Sequence, residues 1–499
     1  MPSVLITNQF IAARTGSELH ALTLARLFER AGWDVTCFTL LYGYPLQGEF
    51  EAAGIRVITL GSEELLANHY DVLFAQHRLA AEHVWNIGRI SFGKVIVSVL
   101  GYLADAEQPP SFWQEADGFV FVSEETRDHV RAEYSLEGVP EMVFPNYAPA
   151  EYFDVTRKLP PSPQTVCALS NHPPQELREL VAHARDRNVQ IDLFGYETTS
   201  VEVTPGLIAG YDAVISIGRT AQPCLAAGVP FYCYDQFGGP GYITPDNLSR
   251  HAYNNFSGRS EQTKRDAAAL FSDLIAGYPE AASCAQRLRD IARDAYDLDA
   301  LFGRLLAFID GVASSPASHQ RAAAPYETLS ADYRSCFAFL DVMRQFFGKG
   351  QLYFSDETGA LSEDNSWSFL YRYNSKICIA PRRESMASLL PARFDPDMAP
   401  CACKILSGEC SPLNAVARIG EEDVFFTDDP SYHLSSDGIV SFSARPLNGA
   451  LLRRLISQEV SQEASQRQGG NSSQGVGGML SAALKKALGR QEEGSPNKR

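Results

Sequence analysis

The chain has 499 residues, 45% of them hydrophobic, and a formal net charge of −17. This is enough apolar material for two or three packed domains, so neither a disulfide framework nor a structural metal is needed for folding. The acidic balance argues against a nucleic-acid partner, because phosphate backbones are held by clustered Lys and Arg.

The N-terminus and the cysteines bear on where the protein resides. Met1-Pro2-Ser3 leads into the apolar Val4–Ile6 without the basic and hydrophobic stretches of a signal peptide. No window approaches the roughly twenty apolar residues of a membrane-spanning helix. The ten cysteines lie mostly in apolar runs, which is typical of reduced, buried thiols. We therefore expect a cytoplasmic protein.

Metal binding and redox cofactors are not expected from the sequence. Cys401, Cys403 and Cys410 lie close together and His433 follows, but their spacing fits no zinc signature. The first strand-to-helix turn lacks the three-glycine dinucleotide fingerprint, which disfavours a nicotinamide or flavin enzyme. We expect no metal and no cofactor.

Residues 1–150 alternate between short apolar strands and amphipathic helices. A strand at Val4–Thr7 leads into a turn in which Thr15 or Ser17 is a candidate N-cap, and Gly32 closes the helix that follows. Alternation of this kind predicts a doubly wound parallel sheet. Further strands are predicted at 34–39, 56–60, 72–75, 95–99, 119–122 and 142–144, with a helix at 124–134.

A proline-rich linker at 145–163 separates this region from a second α/β domain, residues 164–313. Two Rossmann-like domains joined in this way leave a cleft between them. The predicted strands are 165–169, 191–194, 213–217 and 231–234, and the predicted helices are 175–187, about 260–276 and 281–312.

The stretch Tyr211–Asn247 has the pattern of a nucleotide-like site. A buried strand ends at Gly218, Arg219 and Thr220 open a short helix that Gly228 stops, and a second strand runs into a loop rich in glycine. Such turns place backbone N–H groups at the carboxyl edge of a parallel sheet, where phosphates bind. The alternative is that any α/β protein needs glycines at these turns.

Four short motifs are similar to those of one enzyme family. They are Gly16-Ser17-Glu18, Phe121-Val122-Ser123-Glu124, Val143-Phe144-Pro145-Asn146 and Leu225-Ala226-Ala227-Gly228-Val229-Pro230. In this order they resemble the motifs of two-domain GT-B glycosyltransferases, especially the family-4 type, over residues 1–310. The resemblance implies that the N-terminal domain holds the acceptor and the C-terminal domain holds the sugar nucleotide.

The donor site departs from the family pattern. Retaining members carry a pair of glutamates, and Ile215 and Pro223 stand at the corresponding positions here. The loop 170–174 also lacks the Arg and Lys that would hold the diphosphate. Phosphate contacts are therefore expected from Arg219, the Thr220 hydroxyl and the amides of 238–241. The candidate donor-binding residues are Ser216, Gly218, Arg219, Thr220, Asp235, Gly238, Gly239, Gly241, Thr244, Asn247 and Arg259.

Glycosyl transfer by inversion also needs a base for the acceptor hydroxyl. His77, Asp105 and Glu18 are the candidate catalytic residues, and Gly16, Ser17 and His20 are expected on the acceptor side. Each has a structural alternative, because Glu18 suits the first turn of a helix and His77 or Asp105 suits a cap. The polar run 254–259 either reaches the cleft or is a loop between helices.

Residues 326–457 are predicted to form a smaller, mainly β domain. A helix at 326–347 precedes short aromatic and β-branched runs that are typical of an antiparallel sandwich. The segment Ala392–Pro396 resembles the Arg-Phe-Asp-Pro segment of sandwich modules that accompany bacterial polysaccharide glycosyltransferases. Trp367, Tyr371 and Tyr373 form either a sugar-stacking face or strand core.

The tail 458–499 is rich in Gln, Ser and Gly and is expected to be disordered. Within it, Met479–Leu488 can form a short amphipathic helix, with Lys485 and Lys486 on its polar side. A helix of this length binds a membrane weakly at most, and a docking peptide for a partner is the alternative.

The function expected from the sequence is transfer of a sugar from a nucleotide-sugar donor to a glycan or lipid-linked acceptor, in bacterial polysaccharide synthesis. One alternative is a non-catalytic GT-B relative that binds a sugar or nucleotide and serves assembly, which the missing glutamates favour. A sugar-nucleotide epimerase on the same fold is a third hypothesis.

Overall fold

The computed structural model describes residues 1–195, 201–314, 326–355, 361, 365–379, 391–399, 401–415, 417–419, 421–425, 429–434 and 440–446. The chain divides into two compact units. The first contains Met1–Ile11, Thr15–Leu41 and Phe50–Ala338, and the second contains Ala12–Arg14, Tyr42–Glu49 and the chain from Phe339 onward. The tail predicted to be disordered lies outside the described residues.

The first half of the first unit is built on a seven-stranded parallel sheet with the order β5-β3-β1-β6-β7-β8-β9. Its central strands are buried because helices pack against a doubly wound sheet on both faces. The strands of this sheet are β1 Ser3–Thr7, β3 Asp34–Thr39, β5 Arg56–Thr59, β6 His69–Gln76, β7 Ser91–Val99, β8 Gly118–Phe121 and β9 Glu141–Val143, while β2 Phe10–Ile11 and β4 Leu41–Tyr42 form a separate two-stranded sheet. The helices are α1 Gly16–Arg30, α3 Arg78–Asn86 and α4 Glu124–Glu133, and α2 Leu46–Ala52 begins in the segment that belongs to the second unit.

The second half of this unit carries a five-stranded sheet with the order β11-β10-β12-β13-β14, in which only β14 is antiparallel to its neighbour. The strands are β10 Thr165–Leu169, β11 Gln190–Phe194, β12 Ala213–Ser216, β13 Phe231–Asp235 and β14 Gly238–Tyr242. The helices are α5 Gln175–Arg185, α6 Pro205–Ala209, α7 Ala221–Ala227, α8 Leu248–Tyr253, α9 Ala267–Tyr296 and α10 Leu298–Gly311.

Two predicted helix boundaries are wrong. Helix α9 continues through Pro279, where the sequence predicts a break, because Leu274, Tyr278 and Ala281 bury one face along its whole length. The predicted helix 281–312 is instead divided at Asp297. This residue takes an extended conformation, and its carboxylate accepts the Ala300 N–H at 2.9 Å, which starts α10.

The second unit is a sandwich of two antiparallel sheets, ordered β16-β15-β18-β23-β20 and β17-β24-β19-β22-β21. The ring of Tyr371, which is fully buried, lies 5.0 Å from that of Phe442, so Tyr371 belongs to the strand core. Helix α11, Tyr326–Arg344, precedes the strands, which are β15 Phe347–Phe354, β16 Ser366–Arg372, β17 Ile377–Ile379, β18 Pro391–Asp395, β19 Cys401–Ser407, β20 Cys410–Pro412, β21 Ala417–Ile419, β22 Glu422–Phe425, β23 Tyr432–Leu434 and β24 Val440–Pro446.

One segment of this second unit comes from far upstream in the sequence. The Tyr44 N–H donates to the Leu370 carbonyl at 2.7 Å, and the Arg372 N–H donates to the Tyr44 carbonyl at 2.9 Å. Tyr44 therefore forms an isolated parallel bridge to Tyr371 of β16, at the edge of one sheet of the sandwich. The Tyr44 ring packs against Trp367 and Phe369 in the core.

These sheets confirm the predicted fold class, in which two Rossmann-like domains are followed by a mainly β sandwich. Within the described part of the chain, no helix combines the length and the apolar character needed to cross a membrane.

Candidate active site

Arg219 connects the two Rossmann-like halves of the first unit. It lies in a short 3-10 turn, Gly218–Thr220, directly after β12 and before α7. Its Nη1 donates to the Gly16 carbonyl at 3.0 Å, and its Nη2 donates to the Tyr147 hydroxyl at 3.2 Å. The guanidinium carbon lies 5.0 Å from the centre of the Tyr147 ring. Both acceptors are uncharged, so the positive charge of Arg219 is available to an anion.

His20 lies beneath this arginine. Its Nδ1 is 3.4 Å from the Tyr147 hydroxyl, and the ring is buried. Burial, together with the positive charge of Arg219 and the neighbouring His77, lowers the pKa of His20 to about 3. His20 is therefore neutral near pH 7.

His77 follows the last residue of β6 and caps α3 in a left-handed conformation, with φ of 60°. Few residues other than glycine adopt this conformation, and those that do cluster at functional sites. Its Nδ1 accepts the Gln9 N–H at 3.3 Å, and burial lowers its pKa to about 4. The neutral ring therefore carries its proton on Nε2. In this tautomer His77 is a hydrogen-bond donor and not a base.

Three buried polar atoms around His77 have no partner among the described residues, namely His77 Nε2, Gln76 Oε1 and Gln9 Oε1. The orientation of the Gln76 amide follows from its donors, because its nitrogen donates to Asn8 Oδ1 at 2.8 Å and to the Ser17 carbonyl at 3.2 Å. Buried polar atoms are nearly always paired, so this group of unpaired ones is a candidate to bind a polar ligand.

The other predicted catalytic and acceptor-side residues have different surroundings. Glu18 is fully buried and accepts both the N–H and the hydroxyl of Thr15, so it completes the capping box that starts α1. Asp105 has 91% of its side chain exposed and pairs with Arg78 at 3.3 Å. Gly16 and Ser17 contribute their backbone carbonyls to Arg219 and Gln76. The structure thus does not bring Glu18 and Asp105 together with His77 as bases.

In the donor half, Asp235 ends β13 and is buried, and Ser170 Oγ donates to its Oδ1 at 2.8 Å. Burial raises the pKa of Asp235 to about 6, against the opposing effect of the Ser170 hydrogen bond. A carboxylate of this kind gains from any further hydrogen-bond donor that a ligand brings to it.

Two of the other donor candidates support the turn that presents Arg219. Ser216 Oγ donates to the Leu169 carbonyl at 2.8 Å and so ties β12 to β10. Gly218 has φ of +60°, and its N–H donates to the Phe256 carbonyl at 2.9 Å. Thr220 is half-buried beside Arg219, and its hydroxyl is the nearest side-chain donor in sequence.

The predicted glycine loop is wrong, because Gly238, Gly239 and Gly241 lie in the strand β14. Gly238 and Gly241 pair with residues of β13, and the Gly239 N–H donates to the Thr263 carbonyl at 3.2 Å. A Cβ atom on Gly239 would lie 2.0 Å from the Cys233 carbonyl oxygen. Glycine here permits close packing of backbones, and the Gly239 amide is not free for a phosphate.

Thr244 and Asn247 form a turn before α8. The Thr244 N–H donates to Asn247 Oδ1 at 2.9 Å, and Asn247 Nδ2 donates to the Tyr242 carbonyl at 3.0 Å. Both side-chain groups of Asn247 are thus engaged in local structure. This matches the role of Asn in turns that hydrogen-bond their own backbone.

The polar run 254–259 reaches the N-terminal half, as one of the two sequence interpretations expects. Arg259 forms an ion pair with Glu125, and Asn254 Nδ2 donates to Glu125 Oε1 at 2.6 Å. Asn255 Oδ1 accepts from Asn146 at 2.9 Å. Because Arg259 already has a carboxylate partner, Arg219 is the cation better placed to bind a new anion.

Sequence reasoning missed Gln9, Gln76, Tyr147 and Glu125. A signal for two of them was present, since Gln9 follows β1 and Gln76 ends β6, and these strands are neighbours in the sheet. The carboxyl ends of adjacent parallel strands meet at one edge, where open α/β folds bind ligands.

Solved structures similar to this chain include two that are described as glycosyltransferases, and TarM. A glycosyltransferase from Rickettsia africae has 13% identity over 62% of this chain and 98% of its own, with a TM-score of 0.41. WaaG, a glycosyltransferase involved in lipopolysaccharide biosynthesis, has 12% identity over 62% and 100%, with a TM-score of 0.39. TarM has 9% identity over 62% and 99%, with a TM-score of 0.38. No protein-family model and no curated protein matches the chain.

Proposed function

We propose that this protein is a GT-B glycosyltransferase that transfers a sugar from a nucleotide-sugar donor to a glycan or lipid-linked acceptor, in bacterial polysaccharide synthesis in the cytoplasm. The observation that carries the proposal is the position of Arg219. Its uncompensated guanidinium contacts the Gly16 carbonyl across the cleft, close to His20 and the unpaired polar atoms around His77.

On the donor side, Arg219 and the Thr220 hydroxyl bind the diphosphate. Asp235 accepts a hydroxyl group of the sugar or the ribose, since its carboxylate has only partial compensation from Ser170. As the bond from the sugar to the diphosphate breaks, negative charge grows on the leaving oxygen. Arg219 stabilises that charge in a partly desolvated site, where a fixed cation has its largest effect. The proposed mechanism assigns this role to Arg219 and includes no metal ion.

On the acceptor side, His77 and the two glutamines position a polar substrate. His77 Nε2–H is a donor, while Gln76 Oε1 and Gln9 Oε1 are acceptors. Such a set is complementary to hydroxyl groups, which both donate and accept. Holding the attacking hydroxyl near the sugar carbon lowers the barrier by orientation, without a base among these three residues.

The second candidate function is a non-catalytic protein that binds a sugar or nucleotide and serves assembly. It is favoured by the absence of the glutamate pair. Ile215 is buried in β12 and Pro223 is buried in α7, so neither contributes a carboxylate to a ribose. The availability of Arg219 to an anion is common to both functions, and turnover distinguishes them.

The test is hydrolysis and transfer assayed with a panel of radiolabelled nucleotide sugars. We expect turnover of one donor, and a fall of at least about 100-fold in kcat/KM for Arg219→Ala. Arg287→Ala is the matched control, because Arg287 is exposed on α9 and belongs to no part of the site. Binding of a donor without turnover would support the non-catalytic alternative, and full activity of Arg219→Ala would exclude the proposed donor site.

A further inference from the structure

Three potential metal-ligating side chains from two helices meet in the interior of the first unit. They are His83 on α3 and Asp332 and Cys336 on α11, with 1%, 8% and 0% exposure. Asp332 and Cys336 are one helical turn apart and so share a face of α11. His83 Nδ1 lies 2.7 Å from Asp332 Oδ2 and 3.9 Å from Cys336 Sγ. One ligand atom from each residue lies within 4.8 Å of the others.

The other nitrogen of His83 has a carboxylate partner. Nε2 lies 2.9 Å from Glu63 Oε1, and the Tyr333 hydroxyl donates to the same oxygen at 3.3 Å. The ring is also stacked on Phe38, with 5.4 Å between ring centres. A carboxylate that accepts the distal N–H is the usual partner of a metal-bound histidine, because it fixes the ring orientation and leaves the other nitrogen to the metal.

We infer that His83 Nδ1, Asp332 Oδ2 and Cys336 Sγ form a binding site for a divalent transition-metal ion of the zinc type. One imidazole, one carboxylate and one thiolate make up a mixed ligand set that suits Zn²⁺ or Co²⁺. Ca²⁺ and Mg²⁺ require oxygen ligands and are excluded by the thiol. Three protein ligands leave a fourth tetrahedral position for water.

Binding exchanges protons for the metal with no change in net charge. One proton leaves His83 Nδ1 and one leaves Cys336 Sγ, while an ion with two positive charges enters. The buried cluster therefore gains no new net charge, which would be costly in a region of low dielectric.

The bound ion would cross-link α11 to α3 and so stabilise their packing. This role is independent of the proposed glycosyl transfer. Helix α11 leads from the first unit into the second. A metal that binds only the folded arrangement stabilises it by mass action. The occupancy of the site is measured without any activity assay.

The experiment is a Co²⁺ titration of the full-length chain after treatment with a chelator. The expected result is a thiolate-to-cobalt absorption band that saturates at one ion per chain and is removed by Zn²⁺.

Three variants test the site, one at a ligand, one at a control cysteine and one at the carboxylate partner of His83. Cys336→Ser should abolish the band, whereas Cys378→Ser should keep it, since Cys378 is exposed and lies outside the cluster. Glu63→Gln keeps all three ligands, so it should retain the band while weakening affinity by about 10–100-fold. Circular dichroism checks that each variant is folded. Absence of a band in the wild-type chain, or a band that survives in Cys336→Ser, would overturn the metal site and leave the cluster as an ion triad.

Discussion

Two histidines on one helix show opposite protonation. His77 caps the start of α3 and His83 lies further along it, and both are buried. The pKa of His77 is lowered to about 4, whereas that of His83 is raised to about 11. Burial acts in the same direction on both. The difference comes from their partners, because His77 meets a backbone N–H while His83 meets two carboxylates.

The two histidines therefore have different roles, because His77 can bind a ligand whereas His83 stabilises the packing of α11. The neutral ring of His77 keeps an unpaired Nε2–H for a ligand. Both nitrogens of His83 are engaged by Glu63 and Asp332, so it holds α11 in place and takes no part in the cleft. Substitutions at His83 and at residues of the candidate site should alter the free energy of unfolding or the pKa of a histidine. The expected effects differ in size.

The largest effect is expected from His83→Ala. The change leaves the buried Asp332 and the partly buried Glu63 without their cation, and the loss of one partner from a buried ionic group destabilises a protein by about 3–5 kcal/mol. Urea unfolding in the presence of a chelator measures it. His69→Ala is the control, since its side chain is 56% exposed, and it should change the free energy of unfolding by less than about 0.5 kcal/mol. Equal effects of the two changes would contradict this account of His83.

Asp235→Asn is expected to raise the free energy of unfolding, by less than His83→Ala lowers it. The folded-state pKa of about 6 lies above the unfolded value of about 3.9, so ionisation of Asp235 destabilises the fold as pH rises through that window. The amide should therefore raise the free energy of unfolding by about 2–3 kcal/mol above pH 7. That gain should disappear below about pH 4.

The same variant should bind the donor less well, because it loses a charged acceptor. Urea unfolding at several pH values and a donor-binding assay measure the two effects. Asp246→Asn, at an exposed position of the same half, is the control and should leave both unchanged. A pH-independent gain in stability would contradict the proposed origin of the effect.

The next largest change in the free energy of unfolding is expected from Gly218→Ala, in the turn that contains Arg219. The added Cβ meets no atom within 4 Å, so the cost is the left-handed backbone alone, about 1–2 kcal/mol. Gly303→Ala is the matched control within α10, where the space is equally open and φ is negative, and it should stabilise the protein slightly. Thermal unfolding compares the two. A stabilising Gly218→Ala would show that the turn differs from the one described.

The smallest effect is expected on the pKa of the neutral residue His20. Arg219→Ala removes a positive charge that lowers the pKa of His20, so that pKa should rise from about 3. It should stay below 6.5, because burial is the larger cause. NMR titration of the imidazole resonances measures it. An unchanged pKa would mean that Arg219 lies farther from His20 than the structure places it.

The sequence predicts the parts of this molecule that depend on local pattern. Alternating strands and helices indicate the two parallel sheets, and the sequence Gly218-Arg219-Thr220 indicates a turn at the edge of the second. The strand β14 is not predicted because its glycines have the composition of a loop, and the close approach of the Cys233 backbone explains Gly239 only in the folded chain. Local pattern allowed both a helix cap and a catalytic base for Glu18 and could not choose between them, nor could it reveal the unpaired oxygen of Gln76.

Contacts between residues far apart in the sequence cannot be predicted from local pattern, for the same reason. His83 and Asp332 are separated by 249 positions, and neither lies in a recognisable ligand spacing. The expectation of no metal rested on cysteines that are neighbours in sequence. The inferred site instead depends on how α11 packs against α3, which local sequence pattern does not predict.

The most direct test of the central claim is isothermal titration calorimetry of nucleoside diphosphates with the wild-type chain, Arg219→Ala and Arg287→Ala. The account predicts that one diphosphate binds the wild-type and Arg287→Ala chains equally well. It predicts that Arg219→Ala binds at least about 10-fold more weakly, because a charge-assisted contact to phosphate is lost. Equal affinity in all three proteins, or no binding of any diphosphate to the folded wild-type chain, would contradict the placement of the donor site at Arg219.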